Sequence, residues 1–419
     1  MLTDAPKDFL RPLGPCEAYF WLSNQNSAKH FIVAAEIKGT TTVASWQAAL
    51  DAVQRRHPLL SVCIDTDASG IPYFRSIPNL PIPLKVIDSE TGQGWEDIIV
   101  AEWETPFPVK DALLVRTTLL YAKHRATFLF AAHHSIADGL SSTFVIRDIL
   151  QSLSGMALKT LPTPAAQEDL VPPPVVQESE NGTESNDNSA APAPSAPGTP
   201  LKRDPSTLQV RGLCLPTELT TTLRERARAE GVTVHGALVA AIVLAGKECR
   251  QEWRSSPVRV VSPVNTRKIV GRGQDCALTI VFPIGTYDPQ SSAQFWDIAR
   301  LVKSDLKGVR TKEGLAMVLD GFRQLLASKP GMPEIAQFEL HACASEMMVS
   351  NLGDLEIESQ FGDLKLESFW GPSVFVGMEG EQIFGAGTVN GALHLLHTSY
   401  SAIPKCLETT ERILREVLA

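Results

Sequence analysis

The chain has 419 residues, of which 44% are hydrophobic and 20% charged, and its formal net charge at pH 7 is −9. This length and balance are typical of a globular protein with two domains, or of one large domain with two lobes. The net charge is negative, and no basic run is interleaved with aromatic residues. A nucleic-acid partner is therefore not expected, because phosphate binding requires an excess of Lys and Arg on one face.

Three features of the sequence bear on the cellular location of the protein: its N-terminal residues, its apolar runs and its cysteines. Residues 1–8 have neither the basic nor the apolar region of a secretory signal. No stretch reaches the roughly 18 uninterrupted apolar residues of a membrane span. The seven cysteines are odd in number and include no CxxC pair, a pattern that favours free thiols in a reducing compartment. A catalytic role for one of these cysteines is left as an alternative. We expect a cytoplasmic protein without a membrane span.

The first part of the chain alternates between strand and helix patterns. Val43–Arg56 carries Trp46, Leu50 and Val53 at helical spacing, and Pro58 ends that helix. Strands are predicted over 31–37, 58–65, 113–121 and 127–132, and a further helix over 141–153.

The chain changes composition between residues 161 and 205. From Gln167 to Pro200 it holds six acidic residues and neither basic nor aromatic ones. Such a segment buries too little apolar surface to offset the entropy of ordering it, so a flexible, acidic linker rich in Pro, Ser and Ala is predicted. The linker would separate an N-terminal lobe, 1–160, from a C-terminal lobe, 206–419.

The second part repeats the mixture of helices and strands. Thr233 is placed to cap a buried helix over 233–247. Other helices are predicted over 216–230, 295–307 and 409–418, and strands over 258–263, 278–284 and 391–400. Two similar α+β lobes would leave a cleft between them, where ligand sites are often found.

The segment His133-His134-Ser135-Ile136-Ala137-Asp138-Gly139 carries the strongest chemical signal. An apolar strand runs directly into the two histidines, so a rigid sheet can aim one of them into the cleft. A neutral imidazole with a pKa near 7 suits proton abstraction from an alcohol or amine. The alternative is that both are ordinary polar residues at a strand end. A metal site is not predicted, because adjacent side chains of an extended segment point to opposite faces.

This segment resembles the HHxxxDG signature of acyltransferases similar to chloramphenicol acetyltransferase. That superfamily includes alcohol O-acetyltransferases, polyketide-associated acyltransferases, plant BAHD enzymes and the condensation domains of peptide synthetases. The first two types resemble the chain most, and the absence of a DFGWG string puts BAHD membership in doubt. Further resemblances lie at 11–17, 55–60, 111–119, 233–237 and 262–267.

The resemblance implies a role for each residue of the motif. His134 would be the general base, and His133 would be structural. Asp138 would point away from the reactants and pair with an arginine of the second lobe, for which Arg267 is the candidate. Gly139 would permit the tight turn into the following helix.

The segment Ser350-Asn351-Leu352-Gly353 resembles the late strand and turn of the alcohol acetyltransferase branch. Ser350 or Asn351 is the candidate to donate a hydrogen bond to the oxyanion or to contact substrate. A plain β-turn is the alternative at this position.

The resemblance also implies an α/β fold, with two α+β lobes of the chloramphenicol acetyltransferase type and a tunnel between them. The expected function is O-acyltransfer from acyl-CoA, with acetyl-CoA foremost, to a hydroxyl of a small molecule or secondary metabolite. Transfer would be direct within a ternary complex, by a monomer without a bound cofactor or metal. Two alternatives stay open: a condensation-type enzyme that uses an acyl thioester on a carrier protein, and a member that binds or cyclises a metabolite without acyl transfer.

Overall fold

The structure is a computed structural model that describes residues 8–174, 197–288 and 294–419. Its strands in chain order are β1 (Phe9–Pro12), β2 (His30–Lys38), β3 (Val62–Thr66), β4 (Pro72–Ser76), β5 (Leu84–Asp88), β6 (Val115–Ala122), β7 (Arg125–His133), β8 (Gln209–Leu215), β9 (Val258–Val261), β10 (Val264–Asn265), β11 (Ile280–Val281), β12 (Ile284–Tyr287), β13 (Met347–Asp354), β14 (Gln360–Phe361), β15 (Leu364–Val374), β16 (Gln382–Val389) and β17 (Ala392–Ser399). Its helices are α1 (Pro15–Ser23), α2 (Val43–Arg56), α3 (Trp95–Trp103), α4 (Gly139–Leu153), α5 (Thr217–Ala229), α6 (Val234–Cys249), α7 (Arg267–Val270), α8 (Phe295–Asp305), α9 (Lys312–Ala327), α10 (Met332–Ala342) and α11 (Cys406–Leu418).

The first large sheet has the strand order β14-β15-β2-β7-β6-β5. Strand β7 lies inside this sheet, and all its residues after Arg125 are buried. A near-continuous apolar run of this kind is typical of a strand covered on both faces. Helix α2 lies against α4 and begins at the cap Thr42, whose side chain accepts a hydrogen bond from Ser45 N. The apolar stripe of α2 is fully buried in this lobe.

The second large sheet has the order β12-β9-β13-β16-β17-β8. Strand β13 runs parallel to both of its neighbours, while the other pairs are antiparallel. Helix α6 packs against α8 and α11 and contacts β13. Its cap is Thr233, which accepts a hydrogen bond from Gly236 N, and most of its residues are fully buried. The mixed α/β architecture predicted from the sequence is confirmed.

Strand β15 crosses from the second half of the chain into the first sheet. It pairs antiparallel with β2 and carries β14 at its outer edge. The two sheets therefore do not coincide with the predicted ranges 1–160 and 206–419. Alternation and burial patterns predict that a segment is a strand, but they carry no information about which distant strand it will join.

The two ends of the predicted linker are packed, whereas its centre, residues 175–196, lies outside the described residues. The buried carboxylate of Glu168 accepts a hydrogen bond from Cys16 N at 2.7 Å. The guanidinium of Arg323 donates to the carbonyl oxygens of Glu168 and Val171. On the other side, Leu201 N donates to Gly377 O. For these flanking residues the prediction of a flexible linker is wrong, because their polar groups find partners in the folded body.

Within the part of the chain that the structure describes, no single helix is long and apolar enough to cross a membrane. Helices α5 and α6 meet the length and composition criteria only as a pair, and they are bent by 105° at the break between them.

Candidate active site

His134 follows the last residue of β7, where the chain turns toward α4. Its backbone N–H donates to Lys29 O at 2.9 Å. Its ring Nδ1 lies 3.2 Å from the carbonyl oxygen of Ala137. Because a carbonyl oxygen only accepts hydrogen bonds, Nδ1 carries the proton of the neutral ring and Nε2 keeps a free lone pair. The turn thus selects the tautomer that can act as a base through Nε2.

The His134 ring lies between two aromatic side chains. Phe20 stacks on it with ring centroids 4.7 Å apart, and Phe31 lies at 4.9 Å. Burial lowers the pKa of His134 to about 4, although the Ala137 hydrogen bond and the Asp138 carboxylate oppose this shift. The nearby Lys29 ammonium lowers it further. The imidazole is therefore neutral, and able to accept a proton, throughout the physiological pH range.

His133 points away from His134 and is fully buried. Its Nδ1 accepts a hydrogen bond from Ser135 N at 3.1 Å, and its ring faces the edge of Phe107. Burial lowers the pKa of His133 to about 3. In β2, His30 pairs in register with it. Alternation along the strand thus separates the two histidines, one toward the cavity and one into the core.

Asp138 is fully buried and caps α4. Its Oδ1 accepts hydrogen bonds from the backbone and hydroxyl of Ser141, at 2.8 and 2.9 Å. Its Oδ2 accepts from Arg267 Nη1 at 2.7 Å and from Thr279 N at 2.9 Å. Burial alone would raise the pKa of Asp138, but Arg267 and the Ser141 hydrogen bonds hold it below its ordinary value. The carboxylate therefore joins the two lobes and leaves its oxygens no freedom to reach a substrate.

Arg267 is also buried, and its second amino group is fully engaged. Nη2 donates to Ser141 Oγ at 3.0 Å and to Ala277 O at 2.9 Å, while the guanidinium lies over the Phe144 ring. The arginine named from the sequence is thus the ion-pair partner of Asp138 in the structure.

Gly139 is the first residue of α4, and its backbone has ordinary negative φ. The sequence-based reason for a glycine, a turn that needs conformational freedom, is therefore wrong. An added Cβ would lie 2.7 Å from Leu352 Cδ2. Because Gly139 and Leu352 both line the cavity, the missing side chain permits the close approach of β13 to the start of α4.

A cavity with a volume of about 180 Å³ lies between the two sheets and reaches His134. Its walls come from α1, the segment before β2, the start of α4, strand β13 and the end of β15, together with residues near β10 to β12. Phe282 and Met348 are typical of this mostly apolar and aromatic lining. A cavity with few polar groups favours binding of apolar molecules and strengthens the hydrogen bonds made inside it.

Ser350 and Asn351, the oxyanion candidates, both line this cavity from β13. The side-chain oxygen of Asn351 accepts a hydrogen bond from Gly353 N at 2.8 Å. This bond fixes the amide orientation, so that Nδ2 is the group left to donate. The structure thus brings both candidates to the same cavity as His134.

A cluster that the sequence did not predict adds charge to the cavity wall. Lys29 Nζ lies 2.9 Å from Glu339 Oε1 and also donates to Val376 O. Tyr19 donates from its hydroxyl to the same Glu339 oxygen at 3.1 Å. Glu339 stands more than 300 positions after both Tyr19 and Lys29 in the chain, so no local motif could have joined them.

The C-terminal strand does not extend the site. Neither His394 nor His397 is among the residues that line the cavity. His397 Nε2 hydrogen-bonds Gln382 Oε1 at 3.0 Å, and its ring stacks on Phe384. Among the residues described, no group of three or more side chains is arranged to hold a metal ion.

Two family models match the chain, one on each side of the linker. The first, described as a condensation domain, covers residues 15–168. The second is described as the C-terminus of phthiocerol/phthiodiolone dimycocerosyl transferase, and it covers residues 204–376. The first match includes His134 and Asp138, and the second includes Arg267 and Asn351.

Solved structures share the fold along almost the whole chain. Polyketide synthase associated protein 5 from Mycobacterium tuberculosis superposes with a TM-score of 0.64 at 16% identity, covering 99% of both chains. The first condensation domain of the CDA synthetase gives 0.67 at 17% identity, covering 99% of this chain and 97% of that one. TRI3 trichothecene 15-O-acetyltransferase from Fusarium sporotrichioides gives 0.64 at 13% identity, covering 96% and 94%.

Curated relatives match a shorter stretch. Tyrocidine synthase 3 from Brevibacillus parabrevis is 29% identical over 126 residues, which are 30% of this chain and 2% of that protein. Nonribosomal peptide synthetase kk1B from Curvularia clavata is 30% identical over 125 residues, 29% of this chain and 1% of that protein. The chain thus spans only a small part of the curated relatives that it matches.

Proposed function

We propose that this chain is an acyltransferase related to condensation domains and polyketide-associated acyltransferases, whose family models match residues 15–168 and 204–376, and that it transfers an acyl group from acyl-CoA to a hydroxyl of a small molecule. His134 is the general base of the proposed reaction. Acetyl-CoA is the proposed donor, and no resident cofactor takes part.

One observation carries the proposal. The buried His134 ring lines the cavity with its Nδ1 proton held by Ala137 O, which leaves Nε2 as the proton acceptor. Because burial lowers the pKa of His134 to about 4, the ring is already in its deprotonated form at neutral pH.

The proposed chemistry proceeds in one ternary complex. His134 Nε2 takes the proton of the acceptor hydroxyl as its oxygen forms a bond to the thioester carbonyl carbon. The carbonyl electron pair moves onto its oxygen, and a tetrahedral intermediate results. The oxyanion then re-forms the carbonyl as the carbon–sulfur bond breaks, and the leaving thiolate receives the proton from Nε2. The products are an ester and free CoA, and the base returns to its starting form.

The intermediate carries a negative oxygen, for which the cavity offers donors on β13. Asn351 Nδ2 is the proposed partner, because Gly353 N holds the other end of the amide. A fixed donor in a mostly apolar cavity stabilises developing charge without having to reorganise. Ser350 is the proposed substrate contact beside it.

The supporting residues of the proposed site are proposed to hold the backbone around His134 in position. Asp138 and Arg267 fix the start of α4 against the segment around Thr279. His133 fills the core beneath the turn. Gly139 keeps the cavity wall close to Leu352. None of these groups is proposed to touch the reacting atoms.

A second donor is favoured by a separate observation. The match of residues 15–168 to the condensation-domain model, and the peptide synthetases among the curated relatives, support an acyl thioester carried by a carrier protein. With this donor, the chemistry at His134 would be the same and only the partner that presents the thioester would differ. An amine acceptor would then give an amide instead of an ester.

The test compares both donors on the same protein. Acetyl, butyryl and octanoyl groups are offered as CoA thioesters and on a pantetheinylated carrier protein, each with a panel of primary and secondary alcohols and amines. Released thiol is followed with time, and products are identified by mass. We expect CoA-dependent esters. Product from the carrier-bound donor alone establishes the second candidate, and thiol release no faster than in a protein-free blank with either donor contradicts both.

A further inference from the structure

Among the described residues that line the cavity, one side chain is a cation and most of the others are apolar. The Lys29 side chain is 5% exposed, and it lines the cavity together with aromatic residues such as Phe31 and Phe375. A buried ammonium is costly unless its hydrogen atoms are bonded, so each of its partners matters to what the cavity can hold.

The ammonium of Lys29 has three N–H groups, and two of them have partners. One is directed at Glu339 Oε1, 2.9 Å away, and another donates to Val376 O. Among the contacts that the structure describes, no further acceptor is found for the third. Since Lys29 borders the cavity, a molecule bound there can supply the missing acceptor.

The charge of Lys29 is already balanced by protein groups. Glu339 forms the ion pair and is itself held by the Tyr19 hydroxyl at 3.1 Å. A second buried acidic side chain, Glu381, accepts hydrogen bonds from the backbone N–H groups of Val376 and Gly377, both at 3.0 Å, and burial raises its pKa to about 7. A ligand carboxylate would add another negative group to this cluster and lose its own hydration. An uncharged oxygen accepts the third hydrogen bond without that cost.

We propose that Lys29 is a specificity-determining residue, which selects an apolar acceptor that carries an uncharged carbonyl or ether oxygen in addition to its reacting hydroxyl. This inference rests on the proposed function, because the molecule selected is the acceptor bound beside His134. The lysine orients the molecule by its oxygen, and the aromatic wall holds the rest of it.

The test measures binding directly and needs no turnover. Three naphthalene probes are titrated by fluorescence: Prodan, which is a neutral dimethylaminonaphthalene with one ketone, the same ring system without the ketone, and its counterpart with a carboxylate in the ketone's place. We expect Prodan to bind about tenfold or more tightly than the ring without a ketone, the effect of one hydrogen bond from a charged donor. The carboxylate should bind no more tightly than the parent ring.

The matched variants remove the donor in two ways. Lys29→Met keeps the apolar stem, and Lys29→Met/Glu339→Gln also removes the carboxylate left without its partner, so that loss of folding in one variant does not end the test. Both should bind Prodan and the parent ring about equally. Lys365→Met, a change of an exposed lysine on β15, should keep the wild-type preference.

The outcomes separate this inference from the proposed function. An unchanged preference in both Lys29 variants, tighter binding of the carboxylate, or no binding of Prodan would contradict the inference. A preference that depends on Lys29 in a protein that transfers no acyl group from either donor would refute the proposed function and leave the binding specificity standing.

Discussion

At the scale of single residues, the site depends on how one carbonyl group orients one ring. Ala137 O holds the Nδ1 proton of His134, and burial between Phe20 and Phe31 keeps the ring neutral. The partners that stabilise Asp138 leave it no role in proton transfer, since both of its oxygens are occupied by Ser141, Arg267 and Thr279. Proton transfer and support are thus divided between two residues four positions apart.

The lowered pKa of His134 makes a prediction about acid conditions. Because burial disfavours the charged ring, the base form persists until the pH falls to about 4. We expect kcat/KM to be flat from pH 8 to about 5.5 and to fall below that. The measurement is thiol release across this range with a donor concentration well below KM. A midpoint near the ordinary histidine pKa of about 6.5 would contradict the buried, neutral base.

Asn351 allows a sharp test of the proposed oxyanion contact. Asn351→Asp keeps the oxygen that accepts from Gly353 N but removes the donor, so we expect kcat to fall about 100-fold or more with the turn intact. Ser350→Ala, its neighbour on β13, is the matched control and should reduce kcat much less. Equal losses in the two variants, or a loss confined to KM, would assign Asn351 to substrate binding instead.

At the scale of elements, an ion pair joins the start of α4 to the segment that follows β10. Asp138→Asn leaves the buried Arg267 guanidinium without its counter-charge, and we expect the free energy of unfolding to fall by about 3–5 kcal/mol. The double variant Asp138→Asn/Arg267→Met should recover part of this loss, because no unpaired charge then stays buried. Urea unfolding measures both.

The control for this pair lies on the surface. Arg300 and Glu230 are only 2.6 Å apart but partly exposed to solvent, so Glu230→Gln should change the free energy of unfolding by about 1 kcal/mol or less. If Asp138→Asn lowered the free energy of unfolding no more than Glu230→Gln does, the Asp138–Arg267 ion pair would not be important for stability.

The elements near the motif could be predicted from the sequence because their determinants are local. Helix α2 begins after its cap Thr42 and ends shortly before Pro58. Strand β7 coincides with an apolar run that ends at His133. The predicted strand over 58–65 was only partly right, since Pro58–Ser61 forms a short 3-10 turn before β3. Pro58 fixes φ and lacks an N–H, which suits a turn better than a strand.

Other features could not be predicted because they depend on contacts between distant residues. The partner of β15 is β2, at the far end of the chain, and no periodicity encodes that pairing. The same holds for Lys29 and Glu339, which meet only when α10 packs beside the start of β2. The Asp138–Arg267 pair could be predicted because the family resemblance, and not the spacing, identified both partners.

At the scale of the whole molecule, buried histidines make the free energy of unfolding depend on pH in the acidic range. Burial lowers the pKa of His133 to about 3 and those of His134, His235 and His397 to about 4. Between about pH 6.5 and pH 4 the unfolded chain therefore binds protons that the folded chain does not. We expect the contribution of these histidines to the free energy of unfolding to be fully retained above pH 6.5 and to decrease as the pH falls toward 4.

His397→Gln tests this linkage with one residue. Glutamine can still hydrogen-bond Gln382 but cannot titrate, so the slope of unfolding free energy against pH should fall by up to about 1.4 kcal/mol per pH unit in that window. His341→Gln changes an exposed histidine on α10 and is the control. The same slope for wild type and His397→Gln would mean that His397 titrates alike in the folded and unfolded chain.

The two sheets together hold the base, its supporting residues and the cavity. His134 follows a strand of the first sheet, whereas Asn351 belongs to a strand of the second, and the cavity lies between them. Acyl transfer therefore depends on the packing of both lobes, and the role of His134 can be separated from that packing by a substitution that removes only the ring.

The central claim is that His134 is the base for acyl transfer, and His134→Ala tests it most directly. Thiol release and ester formation from acetyl-CoA are measured for wild type and variant, alongside circular dichroism and urea unfolding to establish that the variant folds. We predict that the folded variant loses turnover by about 100- to 10,000-fold. A folded His134→Ala protein with wild-type turnover would contradict the account.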